Sequence, residues 1–229
     1  MADPDPGEPN DVPEWMRELG IHDRESAVEL ANAASRRVRE ASKATLRFRK
    51  DGFTLQHLIL MGFVARAQGF AEATACAIAA NNPYAAFTLL RSYFENAAAI
   101  LYVTEKPDAA QKLWERGPNS HGIKIGTITN YARQRFPKSK ELYNELSQFA
   151  HPHSISMTTS INSDASGKVS WRSEPAFETD EQLLLATAWL EELTTATGHL
   201  FREFADVHLP ESENPITWDS VARKEGEKE

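Results

Sequence analysis

The sequence predicts an all-α helical bundle with a short β-hairpin inserted before the last long helix, and three observations carry that expectation. Apolar residues recur at helical spacing through most of the chain. The breaks between those runs, "DG", "NNP" and "HPH", are helix stops and starts. One stretch alone, "SISMTTSI" joined to "KVSWRS" by "NSDASG", is β-branched and alternating enough for paired strands.

Taken in order, residues 1–23 read as an acidic, Pro-rich, flexible N-terminus, in which "EWMRELGI" forms one amphipathic turn docked by Trp15 and Leu19. Residues 24–209 form the bundle. A first long helix runs from Glu25 to about Lys50, and a second from about Thr54 to Ala80 carries Leu55, Leu58, Ile59, Phe63, Phe70 and Ile78. "NNP" then supplies Asn82 as N-cap and Pro83 as first helical residue. The helix it starts, to about Thr104, is apolar on nearly every face and therefore central. "PDAAQKLWERG", "GIKIGTITNYARQRF" and "PKSKELYNELSQFA" follow as shorter helices. The last must stop near His151, because Pro152 disfavours helical backbone in the residue before it. "TDEQ" is a capping box, Thr179 with Gln182, opening a helix to about His208. Residues 210–229 are a polar C-terminal tail in which Ile216 and Trp218 are the docking candidates, and the five tryptophans read as core or docking residues.

A chain of 229 residues supports one sizeable core. Its net charge of −8 is uneven. The first 23 residues hold seven acids against Arg17 alone, the last twenty hold six against three bases, and the body is left close to neutral. The overall sign is thus no obstacle to an RNA or nucleotide partner. Cys76 is the single cysteine, which suits a reducing cytoplasm and excludes an internal disulfide. The longest charge-free run is broken by "NNPY", so no membrane association is expected. The chain contains no P-loop, dinucleotide glycine fingerprint, HExxH or Gly-x-Ser-x-Gly motif, and no cofactor is expected. "SRRVR", with Arg36, Arg37 and Arg39, is the best candidate for a phosphate-backbone contact.

Chemistry concentrates in two places. Arg91 and Glu95 are the only charges between Pro83 and Thr104, four residues apart and therefore on one helix face. Buried charges cost several kcal/mol each unless paired. Either the two residues satisfy each other as a packing device, or Glu95 aims Arg91 at an anionic ligand. In "YNELSQFAHPHS", Tyr143, Ser147 and His151 recur every four residues along the border of an apolar face. His151 sits at a helix C-terminus, where it is a candidate proton-transfer group, an anion holder or a plain cap. His153 follows in the loop beyond the proline. A zinc site on His151 and His153 lacks a third ligand, so no metal is expected.

Together, "TLLRSYFENAAAILYV" and "LYNELSQFAHPHS" resemble uncharacterised bacterial all-helical families related to the HEPN domain, in which an Arg-x-x-x-Glu helix precedes a Tyr-x-x-x-Ser-x-x-x-His segment. The resemblance spans roughly residues 25–208 in helix order. It implies a cytoplasmic helical bundle, commonly a homodimer, in a group rich in metal-independent ribonucleases of toxin–antitoxin and defence systems. There an Arg and a His act on a phosphodiester that the RNA's own 2′-hydroxyl attacks. The family's Arg-x4–6-His spacing occurs here at Arg17–His22, Arg116–His121 and Arg202–His208, a frequency close to chance and in unsuitable contexts. Two functional expectations follow. The first is a non-catalytic ligand-binding or interaction module with a polar network of Arg91, Glu95, Tyr143, Ser147, His151 and His153. The second is an unconventional ribonuclease whose catalytic residues are Arg91 and His151.

Overall fold

The computed structural model describes residues 12–45, 54–114, 122–136, 138–152, 154–163 and 166–209. Among them the order is α1 (Glu14–Glu18), α2 (Arg24–Thr45), α3 (Leu55–Ala79), α4 (Pro83–Glu105), α5 (Pro107–Trp114), α6 (Ile125–Arg135), α7 (Ser139–Ala150), α8 (Ser154–Thr158), β1 (Ile161–Ser163), β2 (Val169–Trp171) and α9 (Asp180–His208). The class is all-α.

Helix α4 is the axis. Its sequence is apolar all round, and α3, α9, α7 and α6 pack against different sides of it. Asn82 caps it as expected, its side-chain oxygen accepting from the Ala85 N–H at 3.1 Å, with Pro83 next in the chain. Phe87 anchors one end by stacking on Phe149 of α7 at 4.1 Å between centroids and meeting Phe177 and Trp189 edge-on. Asn81 adopts positive φ at 57° and accepts the Phe177 N–H at 3.1 Å, tying the α3–α4 turn to the segment that leads into α9. At α9 itself the Thr179 hydroxyl accepts the Gln182 N–H at 3.3 Å, while the Gln182 amide oxygen accepts from Glu178, so the capping box closes one residue early.

Several expectations change. Residues 12–23 belong with the bundle rather than with a flexible N-terminus, because Val12, Met16 and Ile21 are buried in its core. Docking there runs through Met16 and Ile21, with Leu19 packed against the core as expected, whereas Trp15 stays 44% exposed. The hairpin is shorter than its sequence pattern, pairing only Ile161 with Trp171 through Ser163 with Val169. The preceding Ser154–Thr158 segment is helical: Ser156 Oγ donates to the His151 carbonyl at 2.6 Å and Thr158 Oγ1 to the Ser154 carbonyl at 2.8 Å, local bonds that compete with strand pairing. Trp171 and Leu58 point outward rather than into the core. The expected extension of the first helix to Lys50, and the docking of Ile216 and Trp218, lie outside the described residues. No described helix is long and apolar enough to cross a membrane.

The α2–α9 contact is close because small residues line it. Ala27, Ala31 and Ala34 are buried along one stripe of α2, and a Cβ added at Gly198 of α9 would stand 3.3 Å from Ala41 Cβ. Gly198→Val is expected to destabilise the fold by about 1–3 kcal/mol through overpacking, measured by urea denaturation. An unchanged midpoint would mean that the two helices separate freely.

Candidate functional site

Arg91 and Glu95 emerge from α4 one turn apart, on the side that α7 covers. Both side chains are mostly buried, at 21% and 23% exposure, so their charges need partners. Arg91 Nε lies 3.3 Å from Glu95 Oε1 as an ion pair, without the alignment of a hydrogen bond. Tyr143, from α7, closes the triangle. Its hydroxyl accepts from Arg91 Nη2 at 3.1 Å and donates to the same Glu95 oxygen at 2.9 Å. One phenolic oxygen therefore bridges cation and carboxylate.

His151 completes the cluster from the end of α7. Its backbone is extended, φ −115° and ψ 157°, as a residue before proline must be, and its N–H donates to the Ser147 carbonyl at 3.2 Å. Its own carbonyl accepts from Ser156. Both sides of the break are thus held, and the ring reaches back to Arg91, whose Nη1 lies 2.7 Å from His151 Nε2. A guanidinium can only donate. In this arrangement Nε2 is therefore the acceptor, which puts the ring proton on Nδ1. The ring does not cap α7; the backbone does that. His151 is itself exposed and forms the solvent end of the cluster.

Ser147 stands apart, since its hydroxyl donates to the Tyr143 carbonyl at 2.6 Å within its own helix. His153 lies outside the described residues. Arg133 of α6 is a member that the sequence patterns did not single out. Its guanidinium carbon sits 4.9 Å from the Tyr143 ring centre, and that of Arg91 sits 5.2 Å away. Arg133 Nη1 donates to Asn130 at 3.3 Å, while its Nε is buried without a hydrogen-bond partner among the described residues. The one signal was that Arg133 falls on the same amphipathic helix face as Asn130, and only the tertiary packing aims that face at Tyr143.

Helix α6 is placed by a separate lock at the far end of α4. Tyr131 and Arg135 both donate to the Glu105 carboxylate. These donors, Arg135 first and then Tyr131, hold the Glu105 carboxyl below its ordinary range, and the Glu105 carboxylate raises the Tyr131 phenol in return. Around Tyr143 the balance is two guanidiniums against the single carboxylate of Glu95, a local excess of positive charge with two fork-shaped donors.

The remaining sequence candidates do not converge here. Arg202 meets His199 at 2.9 Å rather than His208, whose Nε2 lies 3.2 Å from the Thr104 carbonyl. Arg116 and His121 lie outside the described residues. Within "SRRVR", Arg37 is spent on an ion pair with Glu191 of α9. Among the described residues no group of three or more His, Cys, Asp or Glu side chains is placed to hold a metal ion. No family model, no curated protein and no solved structure matches this chain.

Tyr143→Phe keeps the ring and removes only the bridging hydroxyl, and is expected to cost about 1–2 kcal/mol of folding stability in urea titrations. Glu95→Ala, which leaves the mostly buried Arg91 without its counter-charge, is expected to cost more, about 2–4 kcal/mol. Equal and negligible effects would show that the cluster is loosely held.

Proposed function

We propose that this chain is a HEPN-like helical bundle serving as a non-catalytic ligand-binding or interaction module of a bacterial defence or toxin–antitoxin type system, working in the cytoplasm as a homodimer. The observation that carries the non-catalytic reading is the internal engagement of Arg91. Its Nη1 and Nη2 are bonded to His151 and Tyr143 and its charge is paired with Glu95 on the same helix, so the side chain that would bind substrate is already committed to joining α4 to α7. Arg133, the second guanidinium against the Tyr143 ring and the one whose Nε has no hydrogen-bond partner among the described residues, gives such a module a donor suited to a phosphate of RNA or a nucleotide.

A second reading rests on one specific distance. Arg91 and His151 meet at 2.7 Å at the protein surface, and Nε2 presents a lone pair. If a phosphodiester displaced that contact, Arg91 could hold its non-bridging oxygens with Glu95 orienting the guanidinium. His151 Nε2 would take the proton of the 2′-hydroxyl as its oxygen bonds to phosphorus. The P–O5′ bond would break, giving a 2′,3′-cyclic phosphate and, once that oxygen is protonated, a 5′-hydroxyl.

The deciding experiment is incubation of labelled RNA with the protein in a chelator, using the wild type, His151→Ala and Arg91→Lys, each checked for folding by circular dichroism. The module reading predicts no cleavage by the wild type and a lowered Tm for both variants, larger for Arg91→Lys than for His151→Ala. Wild-type cleavage abolished in both folded variants would replace it with the ribonuclease.

A further inference from the structure

Beside the polar cluster, on the neighbouring side of the α4–α7 wall, lies a groove of ≈ 680 Å³. It exists because α7 and α9 both rest on α4 with a gap left between them. Ala97 and Ala98 of α4 make the floor, and their small side chains give the groove its depth. Leu142 forms one wall, and Trp189, Leu193 and Leu200 form the other. Trp15 and Phe136, two large apolar side chains that remain 44% and 50% exposed, stand at its edges. Apolar surface of this kind, left open, marks an interaction site.

The rims carry charge of one sign. Glu141 and Glu145 line the α7 rim one helical turn apart, Glu192 lines the α9 rim, and Lys138 is the only opposing charge in the lining. None of the three carboxylates has an ion-pair or hydrogen-bond partner among the described residues. The charges flank the groove on both sides rather than closing one end. A small amphiphile with one cationic head would satisfy one of them. An α-helix with an apolar stripe between two rows of Lys or Arg would satisfy all three while covering the floor. Length agrees as well: from Trp189 to Leu200 the wall runs about 16 Å at 1.5 Å per residue, three turns of a docked helix.

We infer that this groove is the docking site for a basic amphipathic helix of a partner protein. The inference deepens the module reading and rests on it, since it names the chemistry of the partner that such a module would take. The two fail separately. RNA cleavage by the wild type would overturn the module reading alone, and the peptide experiment below concerns the groove alone.

The test is fluorescence anisotropy of a labelled synthetic Leu/Lys amphipathic helix titrated with the full-length protein, with a Leu/Glu helix of the same length as counterpart. Three variants accompany the wild type: Glu141→Lys/Glu145→Lys/Glu192→Lys on the rims, Ala196→Trp to plug the groove from its exposed wall position, and Glu29→Lys/Glu40→Lys/Glu72→Lys as a reversal of equal net charge elsewhere. The basic helix is expected to bind and the acidic helix not to bind. Rim reversal and the plug should each weaken binding by about tenfold or more, with the distant reversal within about twofold of wild type. Equal loss in the distant reversal would reduce the effect to net charge and overturn the inference. So would binding of dodecyltrimethylammonium in place of the peptide, or a dimer that occludes the groove and is broken by rim reversal.

Discussion

The structure is organised by the cost of carrying Arg91 and Glu95 on its central helix. Helix α4 is packed on several sides, and two charges in its middle would be costly if either were left alone. Their pairing along one turn answers half of that cost. The other half falls to α7, which must lie where the Tyr143 hydroxyl can bridge the two and the His151 ring can accept from Arg91. The polar cluster thus fixes how α7 sits on α4. Because α7 is one wall of the apolar groove and α4 is its floor, the same constraint sets the groove's shape.

The break at Pro152 has a related consequence. A helix continuing past Ala150 would carry the His151 ring onward around the α7 surface. Ending it in extended backbone, with the His151 N–H and carbonyl each bonded, turns the ring toward Arg91 instead. A proline that would ordinarily be read as punctuation therefore places a side chain. The aromatic contacts of Phe87 with Phe149, Phe177 and Trp189 hold α4, α7 and the start of α9 at the same end of the bundle. That end keeps the loop carrying His151 close to its partner.

Much of this was legible in the chain because it is encoded locally. Asn82–Pro83, Thr179 with Gln182 and the residue before Pro152 announce helix ends within a few residues, and those ends fall where their chemistry requires. The all-round apolarity of α4 announced its centrality. What sequence spacing could not settle was direction. Tyr143, Ser147 and His151 share a spacing of four, yet Tyr143 and His151 reach across to α4 while the Ser147 hydroxyl turns back onto its own helix. Arg133 joins them from α6, and a contact between separate helices leaves no periodic trace. The groove was invisible for the same reason, being defined by a gap between α7 and α9 rather than by any residue pattern. The β-branched run at Ser154–Thr158 misled because hydroxyl-to-carbonyl bonds favoured a helical turn over pairing.

The most direct test of this account is the tautomer of His151, read by long-range ¹H–¹⁵N correlation of its ring nitrogens in the wild-type protein at a pH where the ring is neutral. A ring that accepts from Arg91 must carry its proton on Nδ1 and leave Nε2 with a lone pair. The account predicts that tautomer as the dominant one. A proton found on Nε2 would remove the Arg91–His151 bond, and with it the claim that one committed guanidinium joins the central helix to the end of α7.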